Sequence, residues 1–153
     1  MSDVPEVLLV DDNPADIELE RYALAEGHVP CRVSEVRDGE EALALLRRQG
    51  KYAAQPRPDV MILDLSMPRK GGDAVLAEVR SDPELREIPV VVFSTSRANR
   101  DIVRSYELGA NCFVSKPGNL KEFISTVQLI CEFFGRLTTR GDHGANSDPR
   151  TAD

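Results

Sequence analysis

"PDVMILDLSMPRKGG", residues 58–72, sets six apolar residues around the acid Asp64, and then breaks into Pro and Gly. The run "VMIL" (60–63) is short and rich in β-branched or bulky side chains. Bounded by polar and turn residues, it reads as a strand buried on both faces. Asp64 is then the first residue past the strand's carboxyl end. Two further runs have the same form: "VLLV" (7–10), followed by Asp11 and Asp12, and "VVVF" (90–93), followed by Ser94 and Thr95. Weaker strand patterns stand at "CRVSEV" (31–36) and "NCFVS" (111–115), the second leading to Lys116.

Helical patterns separate these strands. "PADIELERYALAEG" (14–27) opens on Pro and stops on Gly, and "GEEALALLRRQG" (39–50) begins with acids and closes with Arg, as the helix dipole favours. "GDAVLAEVRS" (72–81), "ANRDIVRSYELG" (98–109) and "NLKEFISTVQLICEFFGRL" (119–137) complete the alternation. A βα unit repeated five times predicts an α/β fold, a doubly wound five-stranded parallel sheet, because right-handed crossovers put helices on both faces. Residues 48–58 read as a loop extension. Residues 1–137 form one predicted domain, and 138–153 are too poor in apolar residues to be expected to fold.

Composition narrows the function. A formal net charge of -7 with no basic stripe argues against nucleic-acid binding. No segment approaches the ~20 apolar residues of a membrane helix. Cys31, Cys112 and Cys131 are odd in number and widely spaced among apolar neighbours, which predicts buried free thiols, a reducing compartment and hence a cytoplasmic location. His28 and His143 are isolated and suggest no metal site or phosphohistidine.

In such a sheet the ligand site lies at the carboxyl ends of the strands. Asp11, Asp12, Asp64, Ser94, Thr95 and Lys116 should therefore meet at one edge. Converging carboxylates at about 4 Å repel by roughly 4 kcal/mol per pair at an effective dielectric near 20. A cation, protonation or a counter-charge is needed, and an all-oxygen donor set suits Mg²⁺. A carboxylate nucleophile, a hydroxyl and a lysine are what a phosphoryl acceptor requires.

At these residues the chain resembles a known family. "LLVDDN", "ILDLSMP", "VVFSTS" and "VSKP" are similar, in order, to the signatures of the receiver domain of two-component response regulators, over residues 5–134. The resemblance implies a flavodoxin-like receiver fold with Asp64 as phosphoacceptor for a sensor histidine kinase. It further implies that Asp11 and Asp12 hold Mg²⁺ with Asp64 and the Ser66 carbonyl, Ser94 supplies the switch hydroxyl, and Lys116 contacts the phosphoryl group. Phe113 falls at the family's switch aromatic, and the Lys116–Pro117 bond is expected to be cis. Gly71, where many receivers carry an acid, and Thr95, where Ala is common, depart from the pattern. The long loop at 48–58, "SYELGANCFVSKP" and the lack of an output domain resemble single-domain regulators that partner bacterial phytochrome histidine kinases. Such a chain is a signalling phosphoprotein and not an enzyme with external substrates.

Other readings stand beside this one. Asp11 is also suited to capping the first helix, Asp11 and Asp12 cannot be ranked as ligands by sequence, and Ser94 and Thr95 also suit turn-capping hydroxyls. A Mg²⁺-dependent aspartyl-phosphate phosphohydrolase would carry a second acid two residues past Asp64, where this chain has Ser66. A nucleotide or flavin module would need a glycine-rich loop after the first strand, where "DDNPAD" stands. A phosphorylation-independent adaptor would not require the acids. On the last helix, Leu129, Phe133 and Leu137 fall beside the core-facing stripe and predict a homodimer or kinase-docking patch.

Overall fold

The computed structural model describes residues 4–67 and 69–144, with side chains through residue 134. Five strands, β1 (Glu6–Val10), β2 (Arg32–Val36), β3 (Val60–Leu63), β4 (Val90–Ser94) and β5 (Cys112–Ser115), form one parallel sheet in the order β2-β1-β3-β4-β5. The five helices are α1 (Pro14–Glu26), α2 (Gly39–Leu46), α3 (Gly72–Ser81), α4 (Asn99–Glu107) and α5 (Leu120–Gly144). This is the doubly wound sheet expected from the alternation of runs, in the flavodoxin-like form that the resemblance implies. Strand order reverses between β1 and β3, so the ends of those two strands form the crevice.

The period-2 alternation of strand side chains builds two cores. Leu8, Val10, Met61, Leu63, Val90 and Val92 face α2 and α3, while Val7, Leu9, Val60, Ile62, Val91 and Phe93 face α1 and α5. All four residues of β3 are buried, which explains why its sequence is continuous rather than alternating.

Helix starts follow their caps. Asn13 accepts from the Ala15 and Asp16 amides ahead of Pro14, and Asp38 accepts from the Glu41 amide ahead of α2. Three boundaries differ from the sequence reading. Helix α2 ends at Leu46 rather than near Gly50, because Arg48 turns into the left-handed region (φ 54°) and the Gln49 amide donates back to Ala44. Within the expected loop, Gly50–Tyr52 forms a 3-10 turn that packs Tyr52 against the first core, and Gln55 donates to the Ser34 hydroxyl at 2.9 Å. Helix α5 continues past 137 through 138–144, where no structure was expected; extending an existing helix adds one backbone bond per residue ordered and needs no apolar face. Residues 145–153 lie outside the described residues.

The cysteines are free, but only Cys131 is buried; Cys31 and Cys112 are half-buried at the margin of the second core. Among the described residues no helix is long and apolar enough to cross a membrane.

Candidate functional site

Backbone register delivers the site. The Asp11 amide donates to Val36 at 3.2 Å, the Asp64 amide to Val10 at 2.9 Å and the Lys116 amide to Ser94 at 2.7 Å, so each polar residue emerges one step past a paired strand end. The oxygens of Asp11, Asp12 and Asp64 lie within 4.8 Å of one another. Asp11 and Asp64 are buried, whereas Asp12 is exposed. Both adjacent acids left unranked by sequence therefore reach the cluster, one from inside and one from the rim. An all-carboxylate set at this spacing fits a hard divalent cation. Asp11 also accepts the Asn13 amide at 2.9 Å, so it helps turn the chain into α1.

Lys116 supplies the counter-charge. Only 6% exposed, its ammonium donates to Asp11 at 2.7 Å and to Asp16 at 2.8 Å, and stands 3.8 Å from Asp64. It also lies 5.8 Å from the centre of the Phe93 ring. Burial by itself would lower the ammonium's pKa, but the hydrogen bonds to Asp11 and Asp16 and the charges of Asp64 and Asp11 overcome it and hold the pKa above its ordinary value. Burial pushes Asp64 up to about 6; Asp11 adds to this, while Lys116 and the Leu65 and Ser66 amides oppose it. Ser66 thus touches the site through its backbone N–H, with its side chain exposed.

Ser94 is buried at the end of β4 and its hydroxyl oxygen accepts the Ser96 amide at 3.3 Å. Thr95, beside it, is exposed. Phe113 is not in the acid cluster: it packs half-buried against the first core, and its amide donates to the Tyr106 hydroxyl at 3.0 Å. The Lys116–Pro117 bond expected as cis is trans, the form an X–Pro bond favours by about 0.5–1 kcal/mol, and the Lys116 carbonyl is taken up by Arg97 at 3.2 Å. On α5, Leu129 and Phe133 are exposed; the Leu137 side chain lies outside the described residues.

The backbone behind Asp64 needs glycine. A Cβ on Gly72 would come within 2.4 Å of the Asp64 carbonyl and 2.8 Å of the Leu65 Cα. The break into Gly after β3 therefore lets the start of α3 close against the strand end.

Two acids of α1 were missed by the sequence reading. Asp16 binds Lys116, and Glu20, one turn further on, is 1% exposed with Oε1 lacking a hydrogen-bond partner. Burial, reinforced by the charge of Asp11, lifts Glu20 to about 8, so it is uncharged near neutrality. A signal was present: Ile17, Glu20, Ala23 and Leu24 form the buried stripe of α1, and one of its positions is an acid. Two clefts of about 280 and 410 Å³ open at the opposite edge of the sheet, around Arg57 and Glu87, and contain none of these groups.

The chain is similar to known proteins. Residues 7–128 match the response regulator receiver domain. The response regulator Rcp1 of Synechocystis sp. is 42% identical over 133 residues, 87% of this chain and 90% of that protein. The crystal structure of the phosphorylated cyanobacterial phytochrome response regulator RcpA superposes with a TM-score of 0.82 at 50% identity, over 86% of this chain and 94% of that one. The Mn²⁺-bound form of Rcp1 does so with a TM-score of 0.80 at 42% identity, covering 85% and 94%. An acid cluster at the strand-order reversal, a buried lysine and this extended match together identify the chain as a member of the response regulator receiver domain family.

Proposed function

We propose that this chain is a single-domain response regulator whose Asp64 accepts a phosphoryl group from the phosphohistidine of a sensor histidine kinase. One observation carries the reading: Asp64 is a buried carboxylate with Asp11 and Asp12 within 4.8 Å and a lysine ammonium 3.8 Å away. An Asp64 carboxylate oxygen forms the new O–P bond as the P–N bond of the donor breaks, and the imidazole leaves with the electron pair. Lys116 offers a cation to the incoming phosphoryl oxygens, and the Leu65 and Ser66 amides orient the carboxylate. Ser94, whose oxygen accepts from the Ser96 amide, keeps its O–H to donate to a phosphoryl oxygen. Mg²⁺, held by Asp11, Asp12, Asp64 and the Ser66 carbonyl, supplies charge neutralisation at the transferring group when bound. The only catalysis on this reading is the chain's own phosphorylation and dephosphorylation.

The output is a changed surface. Ser94 closing on the phosphoryl group draws the β4–α4 loop inward, and Phe113, half-buried on the neighbouring strand, follows it. Differential contacts of this kind are what let a modification shift two states. Leu129 and Phe133, 63% and 60% exposed, support a homodimer or docking face on α5, and Leu137 extends that stripe by sequence. The similarity to RcpA supports a phytochrome-type histidine kinase as partner and a role in light signalling, and the three free cysteines support a cytoplasmic site of action. The net charge of -7 speaks against nucleic acid as a target.

Incubation with a small acyl phosphate and Mg²⁺, followed by intact-mass spectrometry, tests the assignment. One phosphoryl group should be gained, removed by chelation of the metal beforehand and lost in Asp64→Asn. Label persisting in that variant would sink it.

A further inference from the structure

Lys116 has three ammonium protons, and two of them are committed to carboxylates other than Asp64. The two partners differ. Asp11 belongs to the cluster whose oxygens can share a cation, so a bound metal draws on its charge and weakens its hold on the lysine. Asp16 stands outside that cluster, one turn into α1, and its side chain is 21% exposed against 5% for Lys116. Its 2.8 Å bond to the ammonium is therefore the one that persists when the metal site fills. From its present position, 3.8 Å from Asp64, the ammonium must move to make a hydrogen bond there.

We propose that Asp16 is a positioning residue that restrains Lys116 and so limits how firmly the lysine grips a phosphoryl group on Asp64. The surroundings leave the lysine few other partners. Glu20, one turn below Asp16, is buried with an unpartnered Oε1, and the hydrogen bonds of the ammonium go to Asp11 and Asp16 instead. The Phe93 ring closes another side. The position of the ammonium is thus a contest between Asp16 and Asp64, with Asp11 as a third partner. Phosphorylation tips it by adding anionic oxygens on the Asp64 side, and Asp16 sets how much they must overcome. This inference rests on Asp64 being the phosphoacceptor.

The test is a double-mutant cycle read on affinity for beryllofluoride, a phosphoryl mimic, in the presence of Mg²⁺. Asp16→Asn keeps the shape and removes the charge; it should tighten binding about three- to ten-fold, the span expected when one charged hydrogen bond is partly redistributed. In a Lys116→Met background the same change should alter affinity by less than about two-fold, and Asp16→Glu in the parent should restore the parent value. Unchanged or weakened binding by Asp16→Asn overturns the proposal. So does an equal gain without Lys116, since that would reflect simple repulsion between Asp16 and the anion. A Lys116→Met chain that binds no beryllofluoride leaves the sign of the Asp16→Asn change in the parent background to decide. Asp16→Ser takes the place of Asp16→Asn if that variant does not fold. Failure of the phosphoacceptor reading is distinguishable: the parent itself would then bind no beryllofluoride, and Asp64→Asn would leave acyl-phosphate labelling intact.

Discussion

The Lys116 ammonium lies 2.7 Å from Asp11 but 3.8 Å from Asp64, an ion pair with Asp64 that is too long for a hydrogen bond. Asp64 therefore feels burial more than neutralisation, and its carboxyl sits at about 6. This arrangement leaves the Asp64 carboxylate only partly compensated by the lysine.

Metal binding should accordingly be linked to a proton. Below about pH 6 Asp64 is protonated in the metal-free protein, and a ligand carboxylate must be ionised. Mg²⁺ affinity should fall as pH drops through that value, approaching about tenfold per pH unit. Titration calorimetry in buffers of different ionisation enthalpy should register the released proton; affinity independent of pH between about 5 and 7 would contradict the geometry.

Glu20→Gln should change how stability depends on pH. The Glu20 pKa is raised from 4.5 to about 8, so the folded state binds this proton more tightly than the unfolded chain. Its contribution is full below about 4.5 and is lost as pH rises through about 8. The variant should lack that slope and exceed the parent by on the order of 2–4 kcal/mol in alkaline solution. Urea unfolding of both chains across that range measures the difference.

Gly72→Ala should be costly and Gly118→Ala should not. A Cβ at 72 meets the Asp64 carbonyl at 2.4 Å, while one at 118 meets nothing within 4 Å. The expected losses are about 2 kcal/mol or more for the first and within about 0.5 kcal/mol for the second. Because the Gly72 clash is with the backbone of Asp64, acyl-phosphate labelling should slow in that variant even under conditions where it is fully folded.

Arg80 separates stability from the site. Its guanidinium donates to the carbonyls of Gly109, Arg86 and Ile88 and to the Asn111 side chain, at 2.7–3.0 Å, on the edge of the sheet opposite the acids. Arg80→Met should destabilise by about 1–3 kcal/mol in chemical denaturation. Labelling of Asp64 in the folded variant should match the parent.

Much of this was legible from local pattern. Apolar runs such as 60–63 declare strands because burial on two faces leaves no room for polar residues, and the polar residue that ends each run is fixed by where the strand must stop. Strand ends alone therefore bring Asp11, Asp12, Asp64, Ser94 and Lys116 to one edge. Asp16 and Glu20 were hidden because helix α1 presents them among ordinary helix-forming acids; only the packing of α1 against the sheet makes one a lysine ligand and buries the other. The end of α2 and the continuation of α5 past 137 escaped for a related reason: a left-handed Arg48 and a propagating helix depend on backbone bonds, which composition does not report.

Hydrophobic period and chain direction are enough to fix the fold class, the order of the elements along the chain and the strand-end residues that face the crevice. Tertiary structure alone decided how the charges are shared there. Distances of 2.7, 2.8 and 3.8 Å rank Asp11, Asp16 and Asp64 as partners of one ammonium, and electrostatic energies in a buried site turn on such differences.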